Sequence, residues 1–417
     1  MSTPQHILIV NYDFPPNRGI GGRRWGKLSK QLALQGYIVH VIKADALKDA
    51  ADSAWTDDVS HPNIHVTSLA RKYPAAFSHP KSDIISKLKY RYHKWNLKRK
   101  TSGTIYDLSI GWEELLIPTF RKIIHEFQIT NVIATGAPWN MLYELCLVKK
   151  EFPGIHYLID FRDPWITATN YGMAGLEPKR KKAEEKKQTF VLEHADVITT
   201  PADHITEELF QWSQNHCKNI AKFELLSHFY DENDISTNED ISKKNNDKIT
   251  FIYGGDLYLG IDEQLLWLQK QLLNIRGGNP DLYKRIQIKI YTNTPNTTFE
   301  NIEAVELKPS IGKKIFHEIH KADFCLVMLP NNKKNDLTTK FIEYLAFRKP
   351  LIVIASEGSA SNFVEKNKIG LRLNDTNNNL ENIATRALSG ILPYDNSFDF
   401  GAYSLPSVTN NLIKLLK

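Results

Sequence analysis

Short apolar runs separated by helix-length segments are the feature that most constrains this chain. In the first half they are His6–Asn11, Tyr37–Ile42, Asn131–Thr135, His156–Phe161 and Val197–Thr200, each ending near Gly, Pro or Asp. Runs of this length with no polar alternation read as strands buried on both faces, and the intervening stretches, such as Trp25–Gln35 ending at Gly36, carry helical spacing. Strand and helix in alternation predict a parallel sheet covered by helices on both sides. At Asp231–Lys248 the composition turns to Asp, Glu, Asn, Ser, Thr and Lys, which reads as a linker. The pattern then restarts with Ile249–Tyr253, Ile286–Tyr291, Phe324–Leu329, Leu351–Ala355 and Gly370–Leu373. The expectation is therefore an α/β chain of two doubly wound domains, residues 1–230 and 249–400, joined by residues 231–248. A closing helix over 401–417 carries Val408, Leu412, Ile413, Leu415 and Leu416 at helical spacing. Two such domains should face each other across a cleft at the carboxyl ends of their strands, where this architecture binds ligands.

Length and composition agree. A chain of 417 residues with 42% hydrophobic residues can build two cores, at roughly 150 residues per domain. The longest apolar runs fall far short of the roughly 20 residues a spanning helix needs. The opening Met1–His6 lacks a basic region, so no signal peptide is expected. Cys146, Cys217 and Cys325 are scattered and odd in number, and are expected as reduced thiols in a cytoplasmic protein.

The positive charge is concentrated. The net charge is +6, yet Lys87, Lys89, Arg91, Lys94, Lys98, Arg99 and Lys100 form a run with no acid, so the whole excess belongs to this segment. Tyr90, Tyr92 and Trp95 are interleaved with it. An anionic membrane surface or a pyrophosphate-lipid substrate suits this combination, and a solvated helix face would explain it too. Nucleic acid would tolerate the charge and the rings but is not the expected partner. A second basic run, Lys179–Lys187, encloses Glu184 and Glu185 and reads as an exposed helix face.

Phosphate-binding signatures are incomplete. Gly21 to Gly26-Lys27 has Walker spacing, but Leu28 stands where a magnesium-binding hydroxyl is needed. The dinucleotide pattern from Gly19 and Gly21 breaks at Arg24. What remains is a pair, Gly21-Gly22, at a helix start that could let backbone N–H groups approach an anion. In the second half Asp336, Thr338 or Thr339 could cap a helix running to about Phe347, with first-turn N–H groups available to a phosphate. One turn on, Glu343 could accept two hydrogen bonds from a ribose diol. His317 and His320 lie one residue short of zinc-protease spacing, and His61 and His65 have no third ligand in view, so no metal is expected.

Four segments carry a family resemblance over essentially the whole length. They are Asn11-Tyr-Asp-Phe-Pro-Pro with Gly21-Gly22, Asp160-Phe-Arg-Asp-Pro-Trp165, Ala195-Asp-Val-Ile-Thr, and Lys340-Phe-Ile-Glu-Tyr-Leu-Ala with Lys349-Pro350. In these the chain resembles the retaining GT-B-fold glycosyltransferases of family 4, or group 1. The resemblance implies two Rossmann-like domains and transfer of a sugar from a nucleotide-diphosphate donor, with retention and without a metal or other cofactor. The acceptor would be a glycan, possessing a lipid link, in bacterial surface-polysaccharide assembly at the inner face of the cell membrane. By the same analogy Glu343 would bind the donor ribose. Gly21, Gly22, Thr338 and Thr339 would neighbour the diphosphate, and Arg162 and Asp163 would sit near the acceptor or the reacting sugar. The segment around Lys87–Lys100 would meet the membrane.

Two departures stand out. The glutamate that the family places eight residues before the ribose-binding one is Asn335 here, with Asp336 beside it. The family's Arg and Lys after the first strand of the second domain are missing, since Gly254-Gly255-Asp256 is followed by no base before Lys270. Lys340, Lys333, Arg24 or Arg162 must then answer the diphosphate charge. A catalytically silent partner protein and a nucleotide-sugar epimerase of the same fold are the alternative readings.

Overall fold

The computed structural model describes residues 4–17, 19–46, 55–78, 83–168, 171–235, 247–376, 378–391, 394–395 and 397–417. Most of the expected linker, residues 236–246, lies outside them. The chain divides into two compact units, Met1–Ser227 with Thr409–Lys417, and His228–Val408.

The first unit is built on seven strands: β1 His6–Val10, β2 Ile38–Ala44, β3 Ile64–Leu69, β4 Asn131–Gly136, β5 His156–Phe161, β6 Val197–Thr200 and β7 Lys222–Leu225. They pair in the order β3-β2-β1-β4-β5-β6-β7, every pair parallel. β4 and β5 are buried along their whole length, as strands covered by helices on both faces must be. Chain order reverses between β1 and β4, so the crevice at their carboxyl ends is where such a sheet can receive a ligand. The last residues pack at the opposite, amino-terminal edge. The Asn131 side chain donates to Lys417 O at 2.8 Å and accepts from Lys417 N at 2.8 Å, and His156 Nε2 lies 2.9 Å from Leu415 O.

The second unit repeats the scheme with six strands: β8 Ile249–Gly254, β9 Ile286–Tyr291, β10 Val305–Lys308, β11 Phe324–Met328, β12 Leu351–Ile354 and β13 Gly370–Arg372. Their order is β10-β9-β8-β11-β12-β13, again parallel throughout. Two apolar layers cover this sheet, one around Phe251, Leu268 and Phe324 and one around Ile252, Val327 and Phe341. Here the reversal falls between β8 and β11.

Two expectations are refined. The Pro178–His194 helix is not simply an exposed basic face, because Glu184 and Gln188 are buried beneath it. Glu184 accepts from Thr104 N at 2.9 Å and from Trp165 Nε1 at 2.8 Å. The closing helix is shorter than expected, Leu405–Ile413.

Candidate functional site

At the carboxyl end of β1 the chain turns through Asn11–Asn17 and enters the Ile20–Leu34 helix. The Asn11 amide donates to Gly21 O at 3.2 Å and its oxygen accepts from Asp13 N at 3.1 Å, which fixes the turn. No side chain caps the helix start at Gly19. Gly21 leaves room for Arg162: a Cβ there would lie 1.8 Å from Nη1 and would displace the guanidinium. Gly22 is the stricter position, its would-be Cβ 2.1 Å from the backbone oxygen of Asp13. Arg162, just past β5, therefore lays its guanidinium on the first turn of the helix. The same group donates from Nε to Asp163 Oδ2 at 2.9 Å and from Nη2 to the Tyr171 hydroxyl at 3.2 Å. Four expected residues, Gly21, Gly22, Arg162 and Asp163, thus meet at one edge of the first sheet.

Arg24 does something else. It is buried, donating from Nη1 to Ser227 O at 2.8 Å and from Nη2 to Leu226 O, with Nε 3.8 Å from Asp160 Oδ2. Asp160, fully buried, also accepts from Trp25 Nε1 at 3.0 Å, Thr135 Oγ1 at 3.2 Å and Thr199 Oγ1 at 2.9 Å. This set ties the first helix to β4, β5, β6 and the end of the unit. Burial lowers the Arg24 pKa against the opposing pull of Asp160. Its hydrogen bonds are those of a structural cross-link.

In the second unit the carboxyl end of β8 runs into Gly254-Gly255. Gly255 has φ +126°, and a Cβ there would lie 2.5 Å from Lys340 Nζ, so only glycine permits the lysine to stand where it does. The Lys340 ammonium donates to the Tyr253 hydroxyl at 3.1 Å and to Asp256 O at 3.0 Å, and lies 4.7 Å from the centre of the Tyr258 ring. Burial pulls its pKa down to about 8, with Asp256 and Glu343 working the other way. Lys333 approaches the same Tyr258 ring, Nζ 5.4 Å from its centre, while pairing with Asp336 at 3.1 Å. A narrow crevice of about 10 Å3, lined by Tyr253, Tyr258, Thr338 and Lys340, lies over Leu326–Leu329 at the end of β11. It thus lies where β8 and β11 part, at the reversal point of the sheet. The roomier hollows of this unit, about 360 and 500 Å3, are open surface depressions lined largely by polar groups such as Lys270, Asp375, Lys366 and Asp395. The crevice is the better candidate because topology and the perturbed lysine coincide there.

The helix after β11 is Thr339–Leu345, and Thr338 is its cap, accepting from Phe341 N at 3.3 Å. Glu343 stands one turn along from Thr339, close enough to act electrostatically on Lys340. Asn335, the position of the departed glutamate, accepts from Ser359 N at 3.1 Å and holds the start of the Ser359–Lys366 helix. Gly255, Thr338, Thr339, Lys340 and Glu343 are thus brought together. Sequence reasoning missed Tyr253, Tyr258 and Tyr171, which no spacing rule picks out because their charged neighbours are brought to them only by the fold.

No known protein-family profile matches this sequence, and no curated protein sequence does either. Solved structures do match in shape. An α,α-trehalose-phosphate synthase (UDP-forming) from Burkholderia vietnamiensis superposes with a TM-score of 0.60 at 10% identity, covering 99% of this chain and 98% of that one. The N-terminal domain of Candida albicans trehalose-6-phosphate phosphatase gives 0.60 at 13% identity, with 99% and 96% covered. A Listeria monocytogenes protein described as a UDP-N-acetylglucosamine 2-epimerase gives 0.51 at 11% identity, with 99% and 95% covered. The chain has the GT-B fold, two Rossmann-like α/β domains in succession. At these identities the likeness is one of fold.

Proposed function

We propose that the protein is a nucleotide-sugar-dependent glycosyltransferase, with its donor diphosphate received beside Lys340 and its donor ribose held by Glu343. The carrying observation is the Lys340 ammonium beneath the Gly254-Gly255 turn. Its hydrogen bonds go to a phenol and a carbonyl oxygen, and its pKa is depressed to about 8. An ammonium held that way gains from an incoming dianion, and the charge that the missing Arg and Lys would have given is supplied from the Thr339–Leu345 helix instead. The solved structures of the same fold include a UDP-forming synthase, which accords with a nucleotide donor.

Negative charge grows on the departing β-phosphate in the transition state, and a cation fixed there before reaction lowers the barrier without reorganising. In a retaining, front-side displacement the leaving phosphate can take the acceptor proton, so no strong protein base is needed. Arg162 and Asp163 at the first sheet's edge would orient the acceptor hydroxyl. A lipid-linked glycan acceptor and a place in surface-polysaccharide assembly complete the reading.

Thermal shifts with UDP, GDP, CMP, ADP and dTDP, with and without magnesium, test it. A ligand at about 100 times its dissociation constant adds roughly 2.7 kcal/mol to stability. One nucleoside diphosphate should stabilise the wild type without magnesium and fail on Lys340→Ala. No response to any of them at millimolar concentration would refute the donor site. Consumption of a nucleotide sugar without any acceptor would turn the reading to an epimerase.

A further inference from the structure

Just before the closing helix, residues 394–403 carry four aromatic side chains, Tyr394, Phe398, Phe400 and Tyr403. Phe400 is buried and Tyr394 stacks on it, with 6.1 Å between ring centres. Phe398 and Tyr403 are only half-buried. Their planes differ by 24° with 6.0 Å between centres, and Phe363 of the Ser359–Lys366 helix meets both edge-on at 5.6 and 5.8 Å. These two rings border an open hollow of about 500 Å3, whose walls also include Lys366, Asn367, Lys368, Asp395, Ser397 and Asp399. The walls are held in place. Asp395 N donates to Lys368 O at 2.7 Å and the Asn367 amide to Phe363 O at 2.9 Å. Tyr230 donates from N to Tyr403 O at 3.0 Å and from its hydroxyl to Phe400 O at 3.2 Å. Lys366–Lys368 leads into β13, so the hollow lies at the amino end of that strand, whereas the Lys340 crevice lies at the carboxyl ends of β8 and β11 in the same parallel sheet.

We infer that this hollow is a second ligand site, which binds a ring of an uncharged saccharide against Phe398 and Tyr403. A pyranose has a face of C–H groups and a rim of hydroxyls that both donate and accept. Aromatic faces are electron-rich, so C–H groups rest on them favourably, and half-buried rings have that surface to offer. Groups for the rim stand around them: ammonium donors on Lys366 and Lys368, carboxylate acceptors on Asp395 and Asp399, and the Ser397 hydroxyl. Charge decides against an ion. Two lysines and two aspartates cancel, so neither a phosphate nor a cation meets a field of one sign. Openness decides against a lipid tail or an apolar side chain, which would need a closed apolar pocket. The volume falls within the range of about 300–1,000 Å3 usual for small ligands and leaves room for water to bridge hydroxyl and wall. This inference does not rest on the proposed donor reaction.

The test is a printed array of neutral oligosaccharides probed with the full chain, followed by titration calorimetry of the best-bound member. At least one should bind saturably, and excess UDP should not displace it. Phe398→Ala with Tyr403→Ala should weaken that binding at least about tenfold. Lys368→Ala with Asp399→Ala, both at exposed positions, should weaken it about threefold or more while leaving the circular-dichroism melt unchanged. Thermal shifts with nucleoside diphosphates should be the same in the Lys368/Asp399 variant as in wild type. No neutral oligosaccharide bound by wild type, or full binding kept by either double variant, would overturn the inference. Displacement of the sugar by UDP would overturn it too, by putting the sugar in the donor crevice. So would a preference for dextran sulfate over dextran, which would make the hollow a basic patch.

Discussion

The two sheets share one winding order from β1 to β6 and from β8 to β13, yet they use basic side chains differently at their carboxyl ends. In the first unit Arg24 is buried beside the fully buried Asp160 and bonded to two chain carbonyls, and Arg162 is paired with Asp163. In the second unit Lys340 is half-buried, bonded to a phenol and a carbonyl, and depressed in pKa. Equal topology therefore does not imply equal use. Beside a buried carboxylate, Arg24 ties the first unit together, whereas Lys340, bonded only to neutral oxygens, is the cation we propose to meet an anion.

Breaking the structural half should have the largest effect. Asp160→Ala would leave the Arg24 guanidinium buried without its carboxylate and orphan three donors, so a loss of about 3–5 kcal/mol is expected. Urea unfolding checks this, and a loss below 1 kcal/mol would mean that Asp160 is no hub. The ligand half should respond in the opposite way. Lys340→Ala should weaken nucleoside-diphosphate binding by about 1.5–3 kcal/mol while barely moving the melting temperature, as read by titration calorimetry. Gly255→Ala should do the same by displacing the lysine. Equal losses of stability and affinity would erase the contrast between the units.

Glu343→Ala sharpens it. About 1–3 kcal/mol of affinity should go, and with it any preference for a ribonucleotide over its 2′-deoxy counterpart. The pH dependence of binding follows from Lys340. The free-state pKa is about 8, and a bound diphosphate would raise it, so affinity should be full below pH 8 and decline as pH rises above it.

The smallest effect belongs to the first sheet. His6, His40 and His65 sit side by side on β1, β2 and β3, with His6 Nδ1 2.9 Å from His40 Nε2 and the His40 and His65 rings 5.3 Å apart. Burial and the neighbouring imidazoles hold His40 down at about 4 and lower His6. Folded-state values below the unfolded 6.5 mean that stability is complete above about pH 6.5 and is lost as pH falls towards 4. Melting temperatures across that window should flatten in His40→Phe.

The sequence alone determined the repeated strand–helix pattern, because strands buried on both faces must be apolar throughout. Most of the ten runs stood out for that reason, although Ile286–Tyr291 carries Gln287 and Lys289 between its apolar residues, and β5, β6 and β9 have the expected limits. The strands outside those runs, β3, β7 and β10, all lie at sheet edges; edges keep polar side chains and lose the signal. Thr338 was legible as one of three candidate caps and Glu343 by its place one turn further on, whereas Gly255 stood out only beside the family's missing Arg and Lys. Tertiary structure alone decided which cation is structural and which is poised, because Arg24 and Lys340 differ in what distant chain brings to them. Leu226, Ser227 and Asp160 surround the one, Tyr253, Asp256 and Tyr258 the other, and no local pattern records partners 82 to 203 residues away.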